Sequence, residues 1–421
     1  MNSPLANSLT LPCGAVLPNR LGKSAMTEGL ADKYDRPTPQ LEQLYRTWSE
    51  GGTGLHVTGN VMIDRRYLER AGNVVLEDDR DLALFKSWAK AGTVGGNALW
   101  VQLNHPGRQC PKIINKQPLS PSDVHLDLLG NFGKPRAMTE EDILDVIERF
   151  ARSATLVKEA GFTGVQVHCA HGYLLSQFLS PKINQRTDQW GGSLENRARI
   201  IRTIIRRVRD AVGPDFPIGV KLNSADFQKG GFSLEDCVTV AGWLGEDSVD
   251  LLEISGGTYE QLSLIGVEPK DVRESTRKRE AYFIEYAERI KQAAKIPLMV
   301  TGGFRSRDVM ERALNNGELD IIGLARPLCT QPNCSNQLIH GEIDKLDDYE
   351  NGLVLGTGFW GNNSGNNLIK AINSFGQVGF YYWQIIRLGE GKAPEPSLKV
   401  FRSFCRHMKN DLKLNLRRRF A

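Results

Sequence analysis

Several features that would place the chain in a specialised class are missing from its 421 residues. No run of about 18 apolar residues is present, so we expect no membrane-spanning helix. The N-terminus lacks the charged and apolar regions of a secretory signal. The seven cysteines are odd in number and form no CxxC pair. This pattern argues against a disulfide framework or a zinc ribbon and predicts reduced thiols in a cytoplasmic protein.

A large excess of positive or negative charge is also missing, except at the C-terminus. Residues 399–421 contain eight Lys or Arg and one Asp, while the whole chain has a net charge of only +4. The remaining residues are therefore mildly acidic, which argues against nucleic acid as a partner of the main body.

The chain does contain a regular alternation of predicted strands and helices. Short apolar, β-branched runs occur at 20–26, 54–59, 98–103, 164–168, 217–222, 249–255, 297–301 and 319–324. Helical segments between them begin at capping residues, including Thr38, Thr139, Ser233 and Ser306. Eight such units predict an α/β fold, a (β/α)8 TIM barrel over residues 1–340, with its active site at the carboxyl ends of the strands.

Two segments do not belong to this repeat. Residues 105–138 form a long loop after the third strand, rich in Pro and Gly, which predicts a lid or a pocket wall. Residues 341–421 form a helical C-terminal extension, in which GFYYWQIIRLGEG predicts a short aromatic helix docked on the barrel.

The end of this extension predicts an amphipathic helix with a basic face. Its apolar stripe consists of Phe401, Cys405, Met408, Leu412, Leu416 and Phe420. One interpretation is that the stripe packs on its own domain or on a second subunit of a homo-oligomer. The other is that the helix makes a weak contact with a membrane surface or binds a partner.

Glycine and a cation follow the last two predicted strands. Gly302 and Gly303 end the seventh strand, and Ala325 and Arg326 follow the eighth. Barrels bind phosphate groups on these two loops, where bare backbone can approach closely. We therefore expect a phosphate-bearing ligand there.

Protonatable side chains are concentrated just after the fourth predicted strand. His168 and His171 are three residues apart, so they cannot both face one pocket from a straight strand. They can converge if the strand ends near His168 and the chain bends at Gly172. Tyr173 follows directly.

The whole stretch 164–197, GVQVHCAHGYLLSQFLSPKINQRTDQWGGSLENR, resembles the signature of the Old Yellow Enzyme family of FMN-dependent ene reductases. The resemblance implies a barrel that binds FMN, takes hydride from NAD(P)H and reduces the activated C=C bond of a small molecule. It also implies that the loop at 105–138 covers the substrate site.

The resemblance also implies which residues bind the flavin. Ser24, Ala25, Met26 and Thr27 would line the ring, with the Thr27 hydroxyl near O4, and Gly59 would leave room beside it. Gln102 would bind the pyrimidine edge. Lys221 stands where the family most often has Arg, and its charge would stabilise the anionic reduced flavin.

For the substrate, the resemblance implies that His168 and His171 hydrogen-bond a carbonyl oxygen and that Tyr173 donates a proton. Gly29 stands where several relatives have an aromatic residue, which suggests a wider substrate entrance. Two rival hypotheses are a metal-dependent hydrolase using the two histidines and a non-catalytic barrel whose basic tail binds a partner. No carboxylate or Cys near the histidines has metal-ligand spacing, so we expect no metal.

Overall fold

The centre of the molecule is a closed ring of eight parallel strands. The structure, a computed structural model, describes residues 3–128, 130–226, 230–255 and 284–419. The strands are β1 Leu21–Lys23, β2 Leu55–Met62, β3 Ala98–Asn104, β4 Gly164–Cys169, β5 Ile218–Asn223, β6 Leu251–Ser255, β7 Leu298–Thr301 and β8 Ile321–Leu324. Each pairs in parallel with the next, and β8 pairs with β1, which confirms the predicted (β/α)8 barrel.

Helices surround this ring and form the extension. They are α1 Pro39–Glu50, α2 Leu82–Ala91, α3 Glu140–Glu159, α4 Leu174–Leu179, α5 Leu194–Val212, α6 Leu234–Glu246, α7 Ile284–Ala294, α8 Arg307–Asn315, α9 Pro327–Thr330, α10 Cys334–His340, α11 Asn367–Gly389 and α12 Val400–Arg419. Short strands occur at Leu9–Thr10, Val16–Leu17, Val74–Val75, Leu119–Ser120 and Arg136–Ala137.

The capping signals are confirmed at α3 and α6 but not at α1 or α8, where Ser306 makes no side-chain cap hydrogen bond. Thr139 and Ser233 both form capping boxes with the Asp three residues later. Thr38 precedes α1, but its hydroxyl donates to the carbonyl of Leu30 at 2.8 Å instead of capping the helix. A local signal thus predicted where the helix begins but not the bond that its side chain makes.

The interior of the barrel is filled by side chains. Trp100 of β3 is fully buried, and a Cβ on Gly164 or Gly219 would lie within 3 Å of its ring. Glycine on β4 and β5 therefore makes room for this indole. Leu11 and Leu17 of the N-terminal hairpin join the same cluster, so chemistry is confined to the opposite end.

The long loop after β3 packs on the start of α4. The backbone N–H of Leu174 donates to the carbonyl of His105 at 3.0 Å, and Gln177 donates to Pro106. Gln109 donates to the carbonyl of His171 at 3.0 Å. The loop therefore lies beside the residues that end the fourth unit.

The extension packs against the barrel through both of its helices. Ile385 and Leu388 of α11 belong to the main hydrophobic core. α12 packs on α11 through Ser403 and His407, which are 0% and 7% exposed. Asp411 of α12 forms an ion pair with Arg70, which follows β2. Within the described ranges, no helix is long and apolar enough to cross a lipid bilayer.

The C-terminal segment is helical as predicted, but its apolar stripe is not the surface that packs. Phe401, Cys405, Met408, Leu412 and Leu416 are all exposed, whereas the opposite face contacts the protein. The sixth predicted member, Phe420, lies outside the described residues. Packing on the same domain is therefore observed, but by the other face of the helix.

Candidate active site at the carboxyl ends of the strands

Strand register brings polar residues of β4, β5 and β6 to one level. Lys221 lies opposite His168 on one side and opposite Glu253 on the other. Residues opposite each other on paired strands point to the same face. All three are almost fully buried, so they form a polar layer inside the carboxyl end of the barrel.

Three aromatic side chains cluster where β4 ends. The ring of His168 lies 5.0 Å from the ring of His171 and 5.0 Å from the ring of Tyr173, both in edge-on arrangements. The structure therefore brings together the three residues that the sequence predicted for substrate binding. His168 and Tyr173 are 2% and 1% exposed, and His171 is half-buried.

The predicted bend after β4 is confirmed. β4 ends at Cys169, and His171 and Gly172 both have positive φ, 62° and 79°. A non-glycine residue in the left-handed region has a conformational cost, which surrounding contacts must offset. Here the N–H of His171 donates to Asn223 Oδ1 at 3.0 Å.

Sequence reasoning missed the residues that hold His171 in place. Its Nε2 is 2.8 Å from Ser255 Oγ, and its backbone is bound by Asn223 and Gln109. Asn223 and Ser255 are the last residues of β5 and β6. Their position at a strand end was the available signal for a role in the site.

Both imidazoles are held neutral. Burial lowers the pKa of His168 well below 6.5, and the neighbouring His171 and Lys221 lower it further. Burial, and then the charge of Lys221, also lower the pKa of the partly exposed His171 well below 6.5. The N–H of Ala170 donates to His168 Nδ1 at 3.2 Å, so a neutral His168 keeps its proton on Nε2.

Lys221 does not stand alone in this layer. Its Nζ is 3.0 Å from Glu253 Oε1, and the two side chains are 4% and 0% exposed. Lys221 also donates to Ser24 Oγ at 3.0 Å, and Ser24 and Thr301 donate to the Glu253 carboxylate. Burial alone would raise the pKa of Glu253, but Lys221 and these hydrogen bonds lower it below its usual 4.5. Glu253 therefore neutralises the buried cation.

Amide side chains continue this network across the barrel. Gln102 of β3 donates to Gln166 of β4 at 2.6 Å, and Gln166 donates to Glu253 at 2.7 Å. Five neighbouring strands, β3 to β7, thus share one hydrogen-bonded network. Gln102, predicted to bind a flavin edge, lies at one end of it.

Three of the four residues predicted after β1 are partly exposed. Ala25, Met26 and Thr27 are all partly exposed, whereas Ser24 is buried and directed to Glu253. The Thr27 hydroxyl donates to the carboxylate of Glu69 at 2.9 Å. Glu69 was not predicted, because nothing in the local sequence links it to Thr27.

Two glycines named for the site have close neighbours in the structure. Gly59 lies inside β2, and a Cβ there would be 2.2 Å from Glu28 and 2.4 Å from the carbonyl of Met26. The first loop therefore lies against the Cα of Gly59, where a larger residue would not fit, while the room beside the flavin ring stays a prediction. Gly29 has a φ of 67°, and the guanidinium of Arg70 lies beside it, 3.7 Å from the position that a Cβ would take.

The predicted phosphate corner contains two glycines with positive φ and two cations. Gly302 and Gly303 have φ of 128° and 82°, which only glycine adopts readily. Arg326 follows Ala325 at the end of β8 and is 3.2 Å from Glu350, a residue of the extension. Arg305, which sequence reasoning missed, pairs with the same carboxylate at 2.7 Å.

Buried polar atoms without protein partners mark where a ligand fits. Among the described residues, both amide atoms of Asn104, Nδ2 of Asn223 and Oγ of Ser224 are buried and lack a hydrogen-bond partner. Asn104 and Asn223 are the last residues of β3 and β5. Buried polar groups are normally satisfied, so a polar ligand over the strand ends suits this barrel. A ring with polar edges and a phosphate tail matches both the donors and the glycine corner.

Fold and site together define the class: a (β/α)8-barrel enzyme with a polar site at the carboxyl ends of its strands. The model of the NADH:flavin oxidoreductase / NADH oxidase family matches residues 13–344. The NADH-dependent flavin oxidoreductase iliE of Hypocrea jecorina is 37% identical over 77% of this chain and 86% of that protein.

Solved structures share the fold. A 2-naphthoyl-CoA reductase complex superposes with a TM-score of 0.75 and 26% identity, covering 82% of this chain and 53% of that one. This chain thus spans about half the length of that reductase. The old yellow enzyme homologue of Zymomonas mobilis has a TM-score of 0.69 and 22% identity, covering 82% and 95%.

The chain therefore belongs to the NADH:flavin oxidoreductase / NADH oxidase family. The resemblance to Old Yellow Enzyme is confirmed, and the protein is an oxidoreductase with FMN as its cofactor and a reduced nicotinamide as its electron donor. Family membership removes the metal-dependent hydrolase from consideration.

Proposed function

We propose that the protein reduces the C=C bond of an α,β-unsaturated carbonyl compound or a similar activated alkene. The observation that supports this most is the cluster of two neutral imidazoles and a phenol within 5.0 Å ring contacts at the end of β4. When bound, FMN accepts hydride from NAD(P)H and delivers it to the β-carbon of the alkene.

FMN would be bound by the loop after β1, by the polar layer inside the barrel and by the phosphate corner after β7 and β8. Ala25, Met26 and Thr27 would flank the ring, and Gln102 would bind its pyrimidine edge. Lys221 would supply positive charge near N1, where negative charge develops on reduction.

The phosphate group would lie against the backbone of Gly302, Gly303 and Ala325. Arg326 and Arg305 would provide the cations, in competition with Glu350, which they share in the structure.

His168 and His171 would hydrogen-bond the carbonyl oxygen of the substrate. Neutral imidazoles suit this role because they donate N–H groups without losing a proton near neutral pH. Negative charge that develops on the oxygen is then already held by two donors. Ser255 and Asn223 would fix the orientation of His171.

Tyr173 would donate the proton that the α-carbon requires. The phenol is buried next to His168, which restricts competing water. General acid catalysis of this kind contributes about 10²–10⁴-fold.

The test separates reduction of the flavin from reduction of the alkene. The flavin of the purified enzyme is reduced anaerobically with NADH or NADPH and reoxidised by 2-cyclohexenone in a stopped-flow instrument. We expect Tyr173→Phe to slow reoxidation by about 10²-fold or more. The His168→Ala/His171→Ala variant should weaken binding of phenols, measured by their long-wavelength absorbance with the flavin.

An exposed histidine provides the matched control. His340→Ala removes an imidazole from the end of α10 and should leave both steps unchanged. Reoxidation of the Tyr173 variant at the parent rate would remove Tyr173 as the acid. Failure of the parent to be reoxidised by any enone, maleimide or nitroalkene would reject the proposed reaction while leaving the flavin assignment intact.

A further inference from the structure

The outward face of α12 is an apolar stripe that nothing in the described chain covers. Phe401, Met408, Leu412 and Leu416 are 55%, 38%, 62% and 45% exposed, and Cys405 is exposed between them. From the first to the last residue the stripe is about 22 Å long, at about 1.5 Å per helical residue. A continuous exposed stripe of this length marks an interaction surface.

A row of positive charge runs along one edge of this stripe. Arg402, Lys409, Lys413 and Arg417 are all exposed, and each directly follows a member of the stripe. At 100° per residue they lie on one flank of it. In the described part of α12 the one carboxylate is Asp411, which is turned inward to Arg70. The outward surface is therefore apolar and cationic without a balancing acid.

Contacts on the opposite face fix the helix in this orientation. Ser403 and His407 are buried against α11, where a Cβ on Gly379 would come within 2.7 Å of both residues. Arg418 forms an ion pair with Asp35 at 3.1 Å. Because both ends and the middle are anchored, turning the stripe inward would break these contacts.

Apolar exposure is concentrated in this part of the molecule. Of the twelve large apolar side chains exposed in the described residues, seven lie in the extension, including Phe359 and Trp360. The barrel, which is several times longer, has the other five. The extension is thus the surface of the protein best suited to an apolar environment.

We propose that α12 binds the surface of a lipid bilayer that contains anionic headgroups. The apolar stripe would enter the boundary between headgroups and acyl chains, and the basic row would lie at the level of the phosphates. Lys and Arg side chains are long enough to keep their charges in the headgroup layer while their stems remain apolar. The helix would lie in the plane of the surface, with the barrel on the aqueous side.

Charge favours this occupant over a second copy of the chain. Antiparallel pairing of two stripes about a two-fold axis would bring both basic rows to the same edge. The outward face of the partner helix would offer no carboxylate to meet them. An anionic bilayer provides the missing negative charge over the whole length of the row.

Flotation of the full-length, flavin-loaded protein with vesicles tests the proposal. We expect binding to vesicles of phosphatidylcholine mixed with phosphatidylserine, weaker binding at high salt, and little binding to phosphatidylcholine alone. A charge variant changes Arg402, Lys409, Lys413 and Arg417 to Gln. It should bind the mixed vesicles at least about tenfold more weakly, since each basic residue near such a surface contributes about fivefold.

An apolar variant and a matched control complete the set. Met408→Ser/Leu412→Ser should also lose vesicle binding while retaining all four positive charges. The control changes Lys86, Lys90 and Arg152 to Gln and Lys295 to Asn, exposed residues of other surfaces, and therefore removes the same net charge. Flavin absorbance and the urea midpoint verify that each variant is folded.

The outcomes are distinct. Selective loss of binding in the two α12 variants, with the control unchanged, supports the bilayer surface. No binding of the parent to anionic vesicles, or equal loss in the control, overturns it. A parent dimer that dissociates in Met408→Ser/Leu412→Ser, measured by analytical ultracentrifugation, would instead assign the stripe to a second copy of the chain and also overturn the proposal.

Discussion

Removing Lys221 should strongly destabilise the protein, because it leaves a buried carboxylate without its counter-charge. Lys221 Nζ and Glu253 Oε1 are 3.0 Å apart, with side chains 4% and 0% exposed. With an effective dielectric constant of about 20, Coulomb's law gives about 5 kcal/mol at this distance. Loss of one partner of a buried pair typically costs about 3–5 kcal/mol. We therefore expect Lys221→Met to lower the free energy of unfolding at neutral pH by that amount.

The pH dependence identifies the cause. In the parent the pKa of Glu253 lies below 4.5, so its contribution to stability is present above pH 4.5 and is lost as the pH falls through the folded value. In Lys221→Met burial is no longer opposed by the cation, and the pKa of Glu253 should rise above 4.5. The folded variant then binds a proton more readily than the unfolded chain. The difference in unfolding free energy between the parent and the variant should therefore shrink as the pH falls from neutral towards 4.5.

Urea unfolding followed by circular dichroism measures these differences. Lys291 and Asp320 provide a matched control, since their ion pair has the same 3.0 Å separation but side chains 26% and 20% exposed. Lys291→Met should cost no more than about 1 kcal/mol. Lys221→Met could instead lower the free energy of unfolding as little as this control, or by an amount that does not change with pH. Either result would show that Glu253 is not an uncompensated buried charge in the variant.

Three further predictions concern the site and its connection to the extension. Because the pKa values of His168 and His171 lie well below 6.5, phenol binding should show no histidine titration near pH 6.5, while the free energy of unfolding should fall below pH 6.5 as the histidines of the unfolded chain take up protons. Glu69→Gln should raise the FMN midpoint potential by about 20–40 mV, measured by dye equilibration, because it removes a negative charge beside the flavin-binding loop; an unchanged potential would contradict this. Asp411→Asn should lower the free energy of unfolding, measured in urea, by no more than about 1 kcal/mol, since its ion pair with Arg70 is partly exposed. A larger loss would contradict this expectation.

Local pattern was sufficient to predict the barrel and the bend at the site. Alternating apolar residues have a period of two in any strand, so His168 and His171 could converge only if β4 ended between them. The structure ends β4 at Cys169 and gives His171 and Gly172 positive φ. The reaction was predicted from the motif that resembles Old Yellow Enzyme, because periodicity alone does not indicate a reaction.

Partners from distant parts of the chain were not predictable in this way. Thr27 and Glu69 are 42 residues apart, and Arg70 and Asp411 are 341 apart. No helical or strand period links such positions, since the contacts depend on how loops of different units meet above the barrel. Gly59 shows the same limit. The need for a residue without a side chain was predictable there, but contact with the Glu28 carboxylate was not.

The periodicity of α12 predicted a stripe but not the direction in which it faces. In most surface helices the apolar side packs on the core, and that general rule favoured burial here. In the structure small and polar residues pack inward, where Gly376 and Gly379 of α11 allow close approach. Close helix contact at glycines does not require large apolar residues, which leaves them available for the outer surface.

The two faces of α12 give separate roles to one element. Asp411 on the inner side pairs with Arg70, whose guanidinium lies 4.2 Å from the ring centre of Tyr382 and beside Gly29. Leu412, the next residue, points to solvent on the outer side. Since successive helical residues are turned by about 100°, a change at Asp411 should break its ion pair with Arg70 without affecting vesicle binding, and a change at Leu412 should weaken vesicle binding without affecting that ion pair.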